Sequence, residues 1–404
     1  MKSIKPNKIF YLSILLLIFF LGCEKSLTQQ NKYAFVKENL NNIHNIKELN
    51  SFFEKLQYAK QKQLNILHIG DSHLQANDIT EFLRDGLQQK FGNAGRGLIV
   101  PYKVAGTNSP EDIISQSNNK WEGKRNSKPF LPQSNGIGGI TIESVDPNAS
   151  FIFQLPDKYA FTNMAVFFEN DDKSYDIFAE DQENGQIIDL KKYINKKDKN
   201  VAIVSFTKPT SKVKITSVKS DSKQNHITIL GINTSNNKNG LIYHSIGVNG
   251  AEYFHFDTSK YFNKETSFLN PDLIIISLGT NEAYRKDSDF NEISIKKEID
   301  SFISNLKKYN PGIPFLITTP AYAYKNGKPN SRLKIIHDIL IKYCNEKQLA
   351  YWDLQEITGD AVNWKKNNLF SKDLVHYNKE GYKLQGQLLL SAILNSYNDY
   401  VAKH

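Results

Sequence analysis

Between residues 138 and 232 the sequence runs through seven short β-type stretches: 138-GGITIES-144, 149-ASFIFQL-155, 163-NMAVFFE-169, 175-YDIFAED-181, 201-VAIVSF-206, 212-KVKITSV-218 and 226-HITILGI-232. Turn-rich segments such as 170-NDDKS-174 and 182-QENG-185 separate them. Strands at this spacing predict a β-sandwich. The flanks read differently. Upstream, 64-LNILHIGDSHLQANDITEFLRDGL-87 passes from an apolar strand to a helix with Ile79, Phe82, Leu83 and Leu87 on one face. After residue 240, strand-like 240-GLIYHSI-246, 272-DLIIISL-278, 314-PFLITT-319 and 349-LAYWDL-354 alternate with helical 293–309, 332–343 and 379–394. Strands alternating with helices predict a parallel sheet covered on both faces. The expected fold is therefore an α/β parallel sheet flanked by helices, interrupted by an all-β sandwich.

At 404 residues, with 40% hydrophobic and 12% aromatic residues, the chain has material for large cores. Its N-terminus reads separately. Lys2, Lys5 and Lys8 precede the apolar run 9-IFYLSILLLIFFL-21, which ends at Gly22-Cys23 and polar Glu24-Lys25-Ser26. That run is short for a spanning helix and reads as a signal-peptide core. Its end resembles a bacterial lipoprotein signal, with Cys23 as the lipidated residue and Phe20 where leucine is usual. Cys344, the other cysteine, then has no partner, and the helical pattern around it predicts a packing role. Removing residues 1–22 takes away three lysines and no acids, so the formal charge falls from +9 to +6. A lysine-rich surface suits anionic envelope polymers, or is simply a solvated basic face. No long basic run or nucleic-acid module is visible, which excludes nucleic acid as the partner. No cysteine/histidine cluster calls for a metal, and no cofactor is expected.

Four stretches lie at or beyond strand ends, where active groups of α/β sheets gather. Gly70-Asp71-Ser72 follows the first strand, and Ser72 is either a nucleophile or part of a turn that caps a helix. Asp71 is expected to brace that turn. Gly250, in 244-HSIGVNGAEY-253, has no side chain to keep its N–H from a carbonyl oxygen. Asn281, in 277-SLGTNEAYR-285, offers an amide donor. In 371-SKDLVHYNKEGY-382, Asp373 stands three residues before His376, a spacing that lets a carboxylate hold an imidazole. Each piece alone reads equally as loop, turn or cap.

In this order the four blocks resemble the SGNH, or GDSL-like, hydrolases over about residues 61–100 and 241–404. The resemblance implies Ser72 as nucleophile, His376 as general base and then acid, and Asp373 as its orienter. It also implies an oxyanion hole from the Ser72 and Gly250 backbone N–H groups and the Asn281 amide. His73 after the serine and Gly-Thr-Asn-Glu in the third block depart from the broad family. With 92-GNAGRGL-98, 247-GVNGAEY-253 and 351-YWDLQEITG-359, they look similar to bacterial peptidoglycan O-acetylesterases, which carry a carbohydrate-binding-like β-sandwich inserted after the first block. His73 is a substrate contact or a packing residue. The glycines of 92–97 do not fit a dinucleotide fingerprint.

The expected organisation is a signal peptide at 1–22, a tether and leading helix at 23–60, the hydrolase domain at 61–100 and 241–404, and the inserted sandwich at 101–240. The expected activity is serine-dependent removal of O-acetyl groups from an envelope glycan, foremost the muramic acid O-6 acetyl of peptidoglycan. It would act from a lipid anchor in the bacterial cell envelope. Rival readings are an acetylesterase of another polysaccharide such as xylan, an acetyltransferase, and a non-catalytic glycan-binding lipoprotein. In the insertion, Trp121, Tyr159 and Tyr175 are either sugar-stacking or core aromatics.

Overall fold

The structure, a computed structural model, describes residues 32–127 and 134–404. The signal peptide and Cys23 lie outside the described residues. Six strands form the α/β sheet in the order Ile43–His44, Ala350–Trp352, Phe315–Thr318, Leu273–Ser277, Gln63–Gly70, Gly240–Gly247. All neighbours pair in parallel except Ile43–His44, which lies antiparallel at the edge. Alternation along Gln63–Gly70 sends Leu64 and Ile66 to one face and Leu67 and Ile69 to the other, and all four are buried. Helices Asp78–Phe91 and Lys379–Lys403 contribute to the core on the first face. Glu292–Tyr309 and Arg332–Lys347 contribute to the second, through the stripe Ile295, Ile299, Phe302, Ile303 and Leu306 and through Leu333, Ile336 and Leu340.

All seven β-type runs of the insertion are strands. They belong to a five-stranded sheet and a seven-stranded sheet, with every pairing antiparallel. Phe151, Phe153, Phe161, Val213 and Ile215 are buried in one hydrophobic cluster that continues into the second face of the α/β sheet. The α/β sheet and the sandwich thus share a core. Gly97–Ile99, which the sequence places in the hydrolase segment, pairs with Ile227–Ser235 of the larger sheet. The glycines of 92-GNAGRG-97 serve this crossing. Gly92, Gly95 and Gly97 have φ of 104°, 134° and 83°, and a Cβ on Gly95 would meet the Ser235 Cα at 2.9 Å.

Two readings gain detail. Within the expected tether and leading helix at 23–60, the α-helix is Asn50–Leu56, and Leu49, Phe52, Phe53 and Leu56 are buried. The candidate stacking aromatics belong to the protein's own packing. Tyr159 and Tyr175 are buried and donate to Asp85 and to the Val145 carbonyl, while Trp121 meets Phe151 edge-on and donates to Ser117. Cys344 is a free, buried thiol, and burial pushes its pKa up to about 12. Among the described residues no helix is long and apolar enough to cross a membrane.

Candidate active site

The strand Gln63–Gly70 ends at Gly70, and Asp71 caps the short helix Ser72–Gln75 by accepting the His73 N–H at 2.9 Å. This turn places Ser72 at the carboxyl edge of the sheet. There the Ser72 hydroxyl donates to His376 Nε2 at 2.9 Å, and His376 Nδ1–H donates to Asp373 Oδ2 at 2.6 Å. The Asp373 carboxylate fixes the imidazole proton on Nδ1 and leaves Nε2 facing the serine. Asp373 Oδ1 also accepts from the Ser371 hydroxyl at 2.6 Å and from the Val375 and His376 N–H groups at 3.0 and 2.9 Å. Although partial burial works against the charge, these donors hold its pKa well below the ordinary carboxylate range. Between the two residues Leu374 sits at φ 57°, a left-handed conformation that costs a non-glycine residue about 1–2 kcal/mol. Hydrogen bonds from Leu374 N–H to Ser371 O (3.1 Å) and from Tyr324 N–H to Leu374 O (2.8 Å) keep it there.

The other two sequence-derived donors come from neighbouring strand ends. Gly250 lies beyond Gly240–Gly247 at φ 80°. Asn281 lies beyond Leu273–Ser277, and its amide donates to the Ala251 carbonyl at 2.9 Å and, at 3.4 Å, to Asp71 Oδ2. Glu282 adds a second tie between these loops by accepting the Tyr253 N–H at 2.9 Å. Burial, and then the Glu252 charge, raise the Glu282 pKa, which favours the neutral acid. Sequence reading missed this residue because a carboxylate in a loop gives no sign of burial. Asp71 is also fully enclosed, and desolvation pushes its pKa up to about 6.

His73, the residue left open between contact and packing, is buried. Its Nδ1 lies 3.1 Å from the Tyr382 hydroxyl, its ring centroid is 5.2 Å from that of His376, and burial lowers its pKa to about 3. Beneath the site a polar rib crosses four strands. His68 lies 2.7 Å from the Tyr243 hydroxyl and 2.6 Å from the Ser277 hydroxyl, which accepts from Thr318 at 2.7 Å. Among the described residues no group of three or more His, Cys, Asp or Glu could hold a metal ion.

A serine hydroxyl bonded to an imidazole that is itself held by a carboxylate is the relay for attack on a carbonyl carbon. The comparisons agree with that chemistry. The profile of the GDSL-like Lipase/Acylhydrolase family matches residues 230–384, which include Gly250, Asn281, Asp373 and His376. Over that range the chain is similar to the GDSL-like acylhydrolases. Ser72 lies outside the matched range. The enzyme class is carboxylic ester hydrolase, and the acylhydrolase has the SGNH fold with an added β-domain.

Among solved structures, a peptidoglycan O-acetylesterase is 20% identical with a TM-score of 0.72, over 86% of this chain and 96% of that one. A GDSL-like lipase from Bacteroides thetaiotaomicron VPI-5482 is 21% identical, over 39% of this chain and 76% of its own, with a TM-score of 0.32. An acetylxylan esterase from Geobacillus stearothermophilus is 16% identical, over 39% and 73%, with a TM-score of 0.31. No curated protein matches the sequence.

Proposed function

We propose that this acylhydrolase removes O-acetyl groups from an envelope glycan, foremost the O-6 acetyl of muramic acid in peptidoglycan, through an acetyl-serine on Ser72. The observation that carries the reading is the unbroken chain Ser72–His376–Asp373, at 2.9 and 2.6 Å, beside the loops of Gly250 and Asn281. His376 takes the Ser72 proton as the oxygen attacks the acetyl carbonyl carbon. The oxyanion is met by the backbone N–H groups of Ser72 and Gly250 and by the Asn281 amide, which turns toward it the hydrogen shared with Asp71 at 3.4 Å. Collapse breaks the bond to the sugar oxygen, which leaves with the proton from His376. Water, deprotonated by His376, then attacks the acetyl-serine and releases acetate.

The substrate class draws support from the likeness to the peptidoglycan O-acetylesterase, which spans 86% of this chain and so takes in the sandwich as well as the α/β sheet. The lipoprotein-like sequence ending at Cys23 supports a lipid-anchored place in the bacterial envelope. The test is acetate release by the full-length protein and its Ser72→Ala variant from O-acetylated peptidoglycan and, in parallel, from acetylated xylan. Serine-dependent release mainly from peptidoglycan is the expected result. Release mainly from xylan would move the enzyme to another glycan, and equal release by Ser72→Ala would end the mechanism.

A further inference from the structure

The loop that carries Gly250 is gripped by the inserted sandwich. Val248, Asn249, Gly250 and Ala251 form a β-turn closed by the Ala251 N–H to the Val248 carbonyl at 3.0 Å. Gly250, at the third position, has φ 80° while Asn249 does not share a positive φ, which is the type II arrangement. The central peptide of such a turn joins Asn249 to Gly250. Glycine tolerates either sign of φ, so rotating that peptide toward the type I form costs Gly250 little by itself.

The orientation of this one peptide matters because it is planar and trans: the Asn249 carbonyl and the Gly250 N–H point in opposite directions. On its carbonyl edge, the Ser127 hydroxyl donates to Asn249 O at 2.7 Å. Ser127 is buried and belongs to the inserted domain, two residues past its strand Glu122–Arg125. The preceding peptide is held as well, since the Asn249 N–H donates to Gln75 Oε1 at 2.8 Å, on the helix that begins with Ser72. Gln75 Nε2 in turn donates to Thr107 Oγ1 and Asn108 Oδ1 at 2.9 and 2.8 Å. The insertion also presses on the turn directly, for a Cβ on Gly139 would stand 2.7 Å from Val248 Cγ2.

We infer that Ser127 is a positioning residue, through which the inserted domain locks the Asn249–Gly250 peptide with its N–H turned toward the reacting oxygen. This rests on the reading of Gly250 as an oxyanion donor. A flipped peptide would present a carbonyl oxygen to the developing negative charge instead of a hydrogen. The sandwich is then part of the catalytic apparatus whether or not it binds sugar.

The experiment compares full-length wild type with Ser127→Ala, Ser127→Thr and Ser72→Ala on a small acetyl ester, p-nitrophenyl acetate, whose size keeps glycan binding out of the result. Losing a whole oxyanion donor lowers turnover by ~100- to 1000-fold, so Ser127→Ala should lower kcat by about 10-fold or more. KM should stay within about twofold, Ser127→Thr should restore most of kcat by restoring the hydroxyl, and thermal unfolding should show both variants folded. Should Ser127→Ala fail to fold, Ser127→Cys, of similar size but a weaker donor, makes the same comparison. Wild-type kcat in Ser127→Ala, with Ser72→Ala inactive, would overturn the inference and leave the mechanism standing. An active Ser72→Ala would remove the mechanism, and the inference with it.

Discussion

Gly247→Ala is a severe test of how the nucleophile is held. Gly247 ends its strand beneath the helix Ser72–Gln75, and a Cβ there would stand 2.1 Å from Gln75 N, 2.5 Å from Leu74 C and 2.6 Å from Gln75 Cα. All three are backbone atoms, so no side chain can swing aside. Restoring van der Waals separation requires the strand end and the helix to part by roughly 1 Å. A displacement of that size at a reacting group costs on the order of 100-fold in turnover. Overpacking of this kind costs about 1–3 kcal/mol of stability. The assay is kcat on p-nitrophenyl acetate beside denaturant unfolding, with Gly86→Ala as control. The three atoms nearest a Cβ on Gly86 all belong to the flexible Leu390 side chain, so that variant should keep wild-type kcat. Wild-type kcat and stability in Gly247→Ala would show that the helix slides freely, and would refute the claim that this glycine sets the position of Ser72.

Asp373→Asn should lower kcat by ~10⁴-fold without unfolding, because an amide no longer fixes the imidazole proton on Nδ1; steady-state kinetics beside thermal unfolding checks this. His68 should make folding acid-sensitive. Burial lowers its pKa to about 3 in the folded state from the ordinary 6.5, so below pH 6.5 the unfolded chain takes up a proton that the folded chain refuses. Its contribution is therefore present above pH 6.5 and lost as pH falls, by about 2 kcal/mol at pH 5. Unfolding curves at pH 7 and 5 should show His68→Gln losing less stability than wild type over that interval. Glu282 works in the opposite direction. Its raised pKa means that above pH 4.5 folding must take up a proton, so its contribution falls as pH rises. Relative to wild type, Glu282→Gln should gain stability from pH 5 to 7, measured by the same curves.

The sequence conveyed the parts of this molecule whose signals are local. Each of the seven β-type runs has a periodicity of its own, and all seven are strands. Asp373 and His376 are three residues apart, and Ser72 follows an apolar strand, so both halves of the relay were visible before their contact was. What escaped depends on distant neighbours. Ile43–His44 is too short to carry a strand pattern and becomes one only by pairing with Ala350–Trp352. Leu49, Phe52, Phe53 and Leu56 lie in the stretch read as a leading helix, but their burial against the α/β core depends on partners far along the chain. Ser127 meets Asn249 across 122 positions of sequence, and nothing near a lone serine announces such a contact. Trp121, Tyr159 and Tyr175 look the same in sequence whether they stack on sugar or pack on their own sheets. The described geometry of their partners decides for packing.

The central claim is that Ser72, activated by His376, forms the covalent bond to the acyl group. Its most direct test treats the full-length protein with a fluorophosphonate probe and maps the adduct by peptide mass spectrometry. The account predicts stoichiometric labelling of Ser72, much slower labelling in His376→Ala, and loss of acetate release in step with labelling. Failure to label Ser72, or labelling elsewhere with acetate release intact, would contradict it.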